Sequence, residues 1–267
     1  MTFIVGLVLG NGVLMVSDSR ATLGYIAEEQ RKLHPIYFVD NGKEIDLAVV
    51  GGSGDATLVK QAFQLIERAF IRAYKSVGDW PNGAQVTQLV DSIQMELVEK
   101  YSRLRELGLR PNVSLMLGTV TKEGEPRLYV FDDKGIYEPR HDNPGYAMIG
   151  IGRDTGGELL LYLLGFSREK AENWDPGILT TFLIDIVASV NPFVSPITSA
   201  LDSILIRKEK DKIVMGPLKT KAFLKYKRRA EKRLEIIRKL WDILEEVEDE
   251  DVVLRALEKI KKENADH

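Results

Sequence analysis

Residues 2–22 read TFIVGLVLGNGVLMVSDSRAT and give the strongest indication of the fold. Two mainly apolar runs, Phe3–Leu9 and Val13–Ser17, lie on either side of the tripeptide Gly10-Asn11-Gly12. Short runs of this kind around a Gly-Asn-Gly turn are typical of a β-hairpin. We therefore expect a hairpin at the start of the chain, with a polar block that begins at Asp18 directly after the second strand.

Outward from this hairpin, strands and helices follow one another in blocks. The stretch Gly51-Gly52-Ser53-Gly54 breaks a strand, and Asp55 is placed to cap a helix that runs to about Ser76. This order predicts an α+β fold, a four-layer αββα sandwich in which helices cover both outer faces of two antiparallel sheets. The further strands are predicted at 36–39, 45–50, 113–121, 127–131, 146–149, 203–206 and 213–215, and the further helices at 84–106, 154–164 and 177–190.

The composition changes after Gly216-Pro217, where the last predicted strand pair ends. A long helix fits 218–248 and a shorter one fits 252–263, because apolar residues recur there at spacings of three and four. We therefore divide the chain into a sandwich domain, 1–216, and a charged helical hairpin appended at its carboxyl end, 217–267.

The charges of this appendage are separated along the chain. Residues 219–239 hold ten basic and two acidic residues, and residues 242–251 hold seven acidic and no basic ones. A segment of this composition is usually a solvated helical pair, and a docking site for a partner is the alternative.

The composition excludes several classes of site. The 267 residues include no cysteine, which excludes disulfides, zinc–thiolate centres and cysteine nucleophiles. Three histidines, His34, His141 and His267, leave few candidates for a histidine-based triad or metal site. The formal net charge of -3 gives no indication of nucleic-acid binding. We expect no metal, no organic cofactor and no nucleic-acid partner.

Two apolar stretches lack the features of membrane or export segments. Residues 1–17 have no basic start, and a Gly-Asn-Gly turn interrupts them. Residues 178–206 contain Asp185, Pro192 and Pro196, whereas a spanning helix needs about 20 predominantly apolar residues. We expect a cytoplasmic protein with no membrane partner. The 29% of charged residues and the lack of cysteine also suit a heat-adapted protein in a reducing compartment.

The residues around the hairpin also predict a chemistry. Removal of Met1 would give Thr2 a free α-amine beside its hydroxyl, so that one residue supplies both base and nucleophile. Such a site needs a nearby positive charge, an acid that holds this charge, and backbone N–H groups that receive the oxyanion. The sequence offers Lys32, Asp18 and Gly51-Gly52 for these three tasks.

Four short blocks in this order resemble proteasome β subunits, which are N-terminal-nucleophile hydrolases. The blocks are Thr2–Leu7, Ser17–Thr22, Arg31–Leu33 and Val50–Ala56. They resemble the family's mature amino terminus, its acid-x-Arg-x-Thr block, the segment with its catalytic lysine, and its glycine-rich strand-to-helix turn. The similarity continues through Tyr146–Gly152 and spans about residues 2–216, so the helical appendage lies outside it.

The resemblance implies a role for each matching residue. Thr2 would attack an amide carbonyl to form an acyl-enzyme, Asp18 would pair with Lys32, and Lys32 would tune Thr2. The Gly51 N–H would line the oxyanion hole. The resemblance implies supporting or substrate-binding roles for Arg20, which would brace the lysine-bearing loop, for Gly52, and for Thr22 and Ser53, which would lie beside the bound chain.

The chain departs from the family pattern in two places. Ile151 stands where the family has a serine close to the threonine amine. The family also has an Asp and a Ser just before its last strand pair, and their positions correspond approximately to Val194 and Ile197 in this chain. The candidates to substitute for them, in a slightly shifted register, are Ser195, Thr198 and Ser199.

The resemblance implies threonine-type cleavage of peptide or other linear amide bonds, with a peptide or protein as substrate. Two alternatives stay open. Archaeal connectases resemble proteasome β subunits with an added carboxy-terminal region, and they ligate peptides by passing the acyl group to an amine. The chain could also be an inactive binding or assembly subunit. A homo-oligomer is compatible with all three functions.

Overall fold

The computed structural model describes residues 2–18, 20–23, 26–29, 32–197, 202–218, 220–247 and 249–265. Within these ranges the chain forms twelve strands and six α-helices. The strands are β1 (Phe3–Leu9), β2 (Gly12–Ser17), β3 (Arg20–Leu23), β4 (Ile26–Glu29), β5 (Leu33–Asp40), β6 (Lys43–Gly54), β7 (Val113–Val120), β8 (Pro126–Phe131), β9 (Tyr137–Pro139), β10 (Tyr146–Gly150), β11 (Asp202–Glu209) and β12 (Lys212–Gly216). The helices are α1 (Ala56–Val77), α2 (Gly83–Glu106), α3 (Glu158–Leu163), α4 (Pro176–Val190), α5 (Thr220–Glu246) and α6 (Glu250–Ala265).

Ten strands form two five-stranded antiparallel sheets. The first has the order β10-β1-β2-β11-β12 and the second the order β5-β6-β7-β8-β9, while β3 and β4 form a separate two-stranded ribbon. Helices α1 and α2 pack on the outer face of the second sheet, and α3 and α4 pack on that of the first. The predicted α+β sandwich of four layers is therefore confirmed.

Apolar residues from both sheets form a shared inner core. The sheets pack closely at Gly6, where a Cβ would lie 2.5 Å from Met116 Sδ, so a larger residue there would displace the Met116 side chain. All six residues of β2 are buried, which explains its continuous apolar run in place of an alternating one. The inner core includes Ile4, Val8, Val13, Met15, Val49, Met116, Leu128 and Ile206.

The glycine-rich break before α1 forms as the sequence predicts. Asp55 caps the helix, because its carboxylate accepts the N–H groups of Thr57 at 2.9 Å and Leu58 at 3.0 Å. Gly54 just before it has a φ of 109°, and a Cβ there would lie 1.9 Å from Asn112 O. This glycine lets the chain leave the sheet and enter the helix within one residue.

The first half of α5 docks on α4, whereas α6 is exposed. Ala230 is buried against Ile178 and Phe182, and the Tyr226 ring covers Gly177 so closely that a Cβ there would lie 2.5 Å away. The described side chains of α6 are exposed, apart from a half-buried Val253. Both predicted helices of the appendage are thus present, and the domain boundary at residue 216 stays a prediction. Among the described helices, none is long and apolar enough to cross a membrane.

Three short elements were not expected from the sequence: the β3–β4 ribbon, β9, and a 3-10 helix at Arg168–Asn173. Each is too short to show a clear hydrophobic period. The helix expected at 154–164 is also interrupted, since Gly156 has a φ of 116° inside a π-helical turn at Arg153–Gly157. Helix α3 therefore begins only at Glu158.

Candidate active site

Asp18 holds the start of β1, directly after Thr2. The Phe3 N–H donates to Asp18 Oδ1 at 2.7 Å, and the Asp18 N–H donates to Phe3 O at 3.0 Å. These two bonds connect the end of β2 with the residue next to Thr2. Thr2 is only 8% exposed. The antiparallel register of the first hairpin therefore brings the predicted nucleophile and the predicted acid together.

Lys32 and Asp18 form a buried ion pair. Lys32 Nζ lies 2.6 Å from Asp18 Oδ1, and the two side chains are 6% and 0% exposed. The Ser195 N–H donates to Asp18 Oδ2 at 3.2 Å, so both carboxylate oxygens have donors. Burial of two charges is costly, and it is tolerated where they are paired and hydrogen-bonded. An ordinary surface salt bridge would be exposed, so this buried pair differs from one and makes Lys32 and Asp18 candidate site residues.

A second carboxylate, Asp202 at the start of β11, holds the backbone of Lys32. Asp202 Oδ2 accepts the Lys32 N–H at 2.9 Å and the Ser17 hydroxyl at 2.8 Å. Asp202 lies opposite Ser17 in the β2–β11 pairing, which places its side chain beside the loop that carries the lysine. One acid thus holds the ammonium group of Lys32, and another holds its main chain.

Sequence reasoning missed Asp202, because family spacing directed attention to Val194 and Ile197. Both of these residues are buried in the apolar core with α4. Ser195, between them, does reach the site, and it does so through its backbone N–H. A signal for Asp202 was present in the sequence: it is an acid directly before the strand expected at 203–206.

Gly51 lies in β6, opposite Leu33, the residue after Lys32. A Cβ on Gly51 would lie 2.9 Å from Ile4 Cδ1 and 3.0 Å from Met15 Cε. The β6 backbone at Gly51 thus packs closely against side chains of the hairpin that follows Thr2, and a larger residue would make them shift.

Gly150 closes the site next to Thr2. It lies opposite Phe3 in the β1–β10 pairing and has a φ of 85°. A Cβ on Gly150 would lie 2.0 Å from Thr2 O and 3.1 Å from Ser53 Oγ. Gly150 therefore lies next to both the Thr2 backbone and the Ser53 side chain. Any side chain at position 150 would fill the space between them.

Ile151 packs its side chain with the apolar residues beneath α4. Its carbonyl accepts the Thr155 hydroxyl at 3.0 Å, and that hydroxyl accepts the Asn191 side-chain N–H at 3.0 Å. The side chain at position 151 is thus half-buried against the core, and Thr155 and Asn191 supply the polar groups at this turn.

Of the other predicted supporting residues, the structure gives the place in the fold for Arg20, Thr22 and Gly52. Arg20 and Thr22 lie in β3, with their backbones opposite Glu29 and Ala27. A Cβ on Gly52 would lie 2.4 Å from Val59, so this glycine allows α1 to pack on β6. Ser199 and Thr198 lie outside the described residues. The roles predicted for these residues stay predictions.

The segment that precedes Asp202 also joins the site to α5. Lys227 Nζ donates to Ile197 O at 3.1 Å, and the Ile197 N–H donates to Asp185 Oδ1 at 3.2 Å. Burial raises the pKa of the Asp185 carboxyl, while the Ile197 N–H and the Lys227 charge oppose this rise. Ser195, two residues before Ile197, donates its backbone N–H to the Asp18 carboxylate. Helices α4 and α5 therefore help to hold the segment that binds Asp18.

A cavity of about 280 Å³ is lined by none of the predicted catalytic residues. Among the residues that the structure describes, no group of three His, Cys, Asp or Glu side chains is arranged to hold a metal ion. The cavity is lined by Val130 of β8, Tyr137 of β9, Met148 of β10 and Glu158 of α3, together with Arg140, which follows β9.

The family follows from a comparison of sequences. A family model described as "Proteasome subunit" matches residues 2–156, which is more than half of the chain. The chain belongs to the proteasome subunit family. The resemblance to proteasome β subunits that the four sequence blocks indicate is therefore confirmed. The match to the family includes all four predicted catalytic residues, whereas Ser195 and Asp202 lie beyond it.

Solved structures that share the fold include two Anbu proteins. The Anbu (Gly-1) mutant from Hyphomicrobium sp. strain MC1 has a TM-score of 0.63 at 16% identity, over 93% of this chain and 99% of that one. Anbu from Yersinia bercovieri, described as an ancestral beta-subunit, has a TM-score of 0.61 at 18% identity, over 89% and 96%. A match confined to residues 1–216 would cover about four fifths of the chain, so the shared fold includes part of the appendage. No curated protein sequence matches the chain.

Proposed function

We propose that the chain is a threonine-type N-terminal-nucleophile hydrolase that cleaves linear amide bonds of peptides through an acyl-enzyme on Thr2. The buried pair of Lys32 and Asp18, with Nζ and Oδ1 2.6 Å apart, supports this proposal most directly. Asp18 also binds the backbone next to Thr2 through the Phe3 N–H. A shielded positive charge, paired with the acid that binds the backbone next to Thr2, is suited to activate a nucleophile there.

In this mechanism Thr2 works after removal of Met1. The free α-amine, whose unperturbed pKa is about 7.7–8.0, takes the hydroxyl proton as Thr2 Oγ attacks the substrate carbonyl. The Lys32 ammonium group disfavours protonation of the amine and stabilises the developing negative charge. Asp18 keeps the ammonium group charged and in place.

The attack gives a tetrahedral intermediate whose negative oxygen would accept the Gly51 N–H. When the intermediate collapses, the C–N bond breaks and the α-ammonium group of Thr2 gives its proton to the leaving amine. An ester on Thr2 Oγ results. Water then attacks this ester, with the α-amine as base, and releases the carboxylic acid and the free enzyme.

Peptide ligation is the second candidate function. If an amine attacks the ester before water does, the acyl group passes to that amine and a new amide forms. The observation in favour is the apolar, half-buried side chain of Ile151, at the position where the family has a serine near the amine. An ordered water needs polar partners, so this substitution disfavours a hydrolytic water at that point. A labelled peptide with a competing amine distinguishes the two functions: a joined product indicates ligation, and the free acid indicates hydrolysis.

We predict that the active protein lacks Met1 and reacts covalently at Thr2. Intact-mass measurement before and after treatment with a peptide electrophile specific for N-terminal threonine should show loss of the methionine and addition of one label. The physical reason is that an acylated Thr2 nitrogen cannot act as a base. A preparation that is fully active and keeps Met1 would exclude this mechanism. A protein without Met1 that takes no label and turns over no peptide would favour the inactive assembly subunit.

We predict that Asp202→Asn slows labelling of Thr2 by about tenfold to a hundredfold, because loss of the carboxylate charge weakens the bond that positions Lys32. The effect should be on kcat and not on KM, since Asp202 touches Lys32 and Ser17 and is not proposed to touch substrate. Asp211→Asn, at an exposed turn, is the matched control. Equal labelling rates for the two variants would show that Asp202 does not position the lysine.

A further inference from the structure

The outer half of α5 carries a broad exposed apolar face. The docked half ends at about Leu234, which packs with Ala230 against α4. Seven of the thirteen residues from Glu235 to Val247 are apolar. They include Ile236, Ile243 and Trp241, which are 47%, 44% and 65% exposed. A helix with so wide an apolar face normally buries it against another element.

The charges along α5 change sign in the middle of this outer half. Arg238 and Lys239 end the basic block, and Asp242 begins the acidic block that continues through Glu245 and Glu246. Glu235, an acid within the basic block, is already paired with Lys239 at 2.6 Å. The apolar face is thus bordered by positive charge toward the sandwich and by negative charge toward α6.

We propose that the outer half of α5 docks antiparallel against the same segment of a second copy of this chain. A two-fold axis near Trp241 and Asp242 would place the basic end of each helix beside the acidic end of the other. Arg238 and Lys239 of one copy would then lie opposite Glu245 and Glu246 of the other. Surfaces related by a two-fold axis must be self-complementary, and this distribution of charge meets that condition.

The length of the exposed segment agrees with this arrangement. At about 1.5 Å per residue, the helix from Glu235 to Val247 is about 20 Å long. A two-fold axis at the centre of this segment brings it into contact only with the same segment of the second chain. The contact of Ala230 with Phe182 is therefore kept in each chain. The apolar residues would supply the affinity, and the charges would set the direction of the helices.

Other pairings fit these observations less well. A parallel pair of helices would place Arg238 against Arg238 and Glu245 against Glu245, so like charges would repel along the whole contact. A nucleic acid or an anionic membrane would attract the basic block and repel the acidic one. A different protein would need the opposite order of charges, whereas a second copy turned by two-fold symmetry has it already.

The first test uses the full chain and measures mass in solution by light scattering on a sizing column. The native chain should form an assembly with an even number of copies, and Ile236→Asp/Ile243→Asp should raise the dissociation constant of the α5 contact roughly tenfold or more. Met95→Asp is the control, since Met95 is an exposed apolar residue (68%) on α2. Circular dichroism should show equal helix content in all three proteins. A monomeric native chain, or a double variant of unchanged mass, would overturn the proposal.

The second test exchanges the charges. Arg238→Glu/Lys239→Glu makes the outer half of α5 wholly acidic, and Glu245→Lys/Glu246→Lys makes it mainly basic, so each variant alone should associate roughly tenfold or more weakly than the native chain. An equimolar mixture should restore the association, because each acidic segment then meets a basic one. With one variant tagged, recovery of the untagged partner in the native stoichiometry supports the antiparallel pair. Failure of the mixture to associate would overturn it.

Discussion

Replacement of Thr2 by alanine is expected to abolish turnover of every amide substrate while the fold is retained. Thr2 Oγ is the proposed nucleophile, and alanine keeps the α-amine but removes the attacking oxygen. Loss of a nucleophile typically reduces kcat/KM by at least about 10³-fold. The side chain is small and lies directly before β1, so the free energy of unfolding should change by no more than about 1 kcal/mol. Hydrolysis of a fluorogenic peptide and thermal unfolding measure the two effects.

Two further variants make this result specific. Thr2→Ser keeps both a hydroxyl and a free α-amine, so it should still be labelled by the electrophile and should keep part of the activity. Thr87→Ala removes an exposed threonine from α2 and should behave as the native protein does. Undiminished hydrolysis by Thr2→Ala, in a preparation free of other peptidases, would end the N-terminal-nucleophile interpretation.

The sequence predicted those contacts around the candidate site that join residues close in the chain. The first hairpin brings Asp18 back to Phe3 because the strands on either side of the Gly-Asn-Gly turn have nearly equal length. Asp55 caps α1 as its type and position predict. The Lys32–Asp18 pair was expected from the family resemblance and from the need of a free amine for a neighbouring positive charge. In each case the deciding contact joins residues fewer than twenty positions apart.

Contacts between distant segments were harder to predict. Asp202 reaches Lys32 only because β11 pairs with β2 in a register that places it opposite Ser17. No local signal sets this register, since it depends on how the buried faces of both strands fit the sheet. Ser195 binds Asp18 through its backbone, and a backbone N–H is present at nearly every position, so its residue type carries no information about the contact.

Lys32→Met is expected both to abolish activity and to destabilise the fold, because it leaves the buried Asp18 carboxylate without its cation. Removal of one member of a buried pair costs about 3–5 kcal/mol. We expect a value near 3 kcal/mol, because the N–H groups of Phe3 and Ser195 still bind the carboxylate. Methionine has nearly the length of lysine and fills the same space. Urea titration gives the loss of unfolding free energy, and the electrophile gives the rate of reaction at Thr2.

The double variant Lys32→Met/Asp18→Asn separates stability from catalysis. With no buried charge left, the unfolding free energy should return to within about 2 kcal/mol of the native value, since a buried ion pair contributes little net stability compared with neutral groups of similar size. Activity should not return, because Thr2 would still lack the positive charge that keeps its amine neutral and stabilises its alkoxide. Turnover restored together with stability would mean that Lys32 is only structural. Stability restored without turnover would mean that the charge of Lys32 serves catalysis. Its pairing with Asp18 would then serve to keep that charge inside the protein.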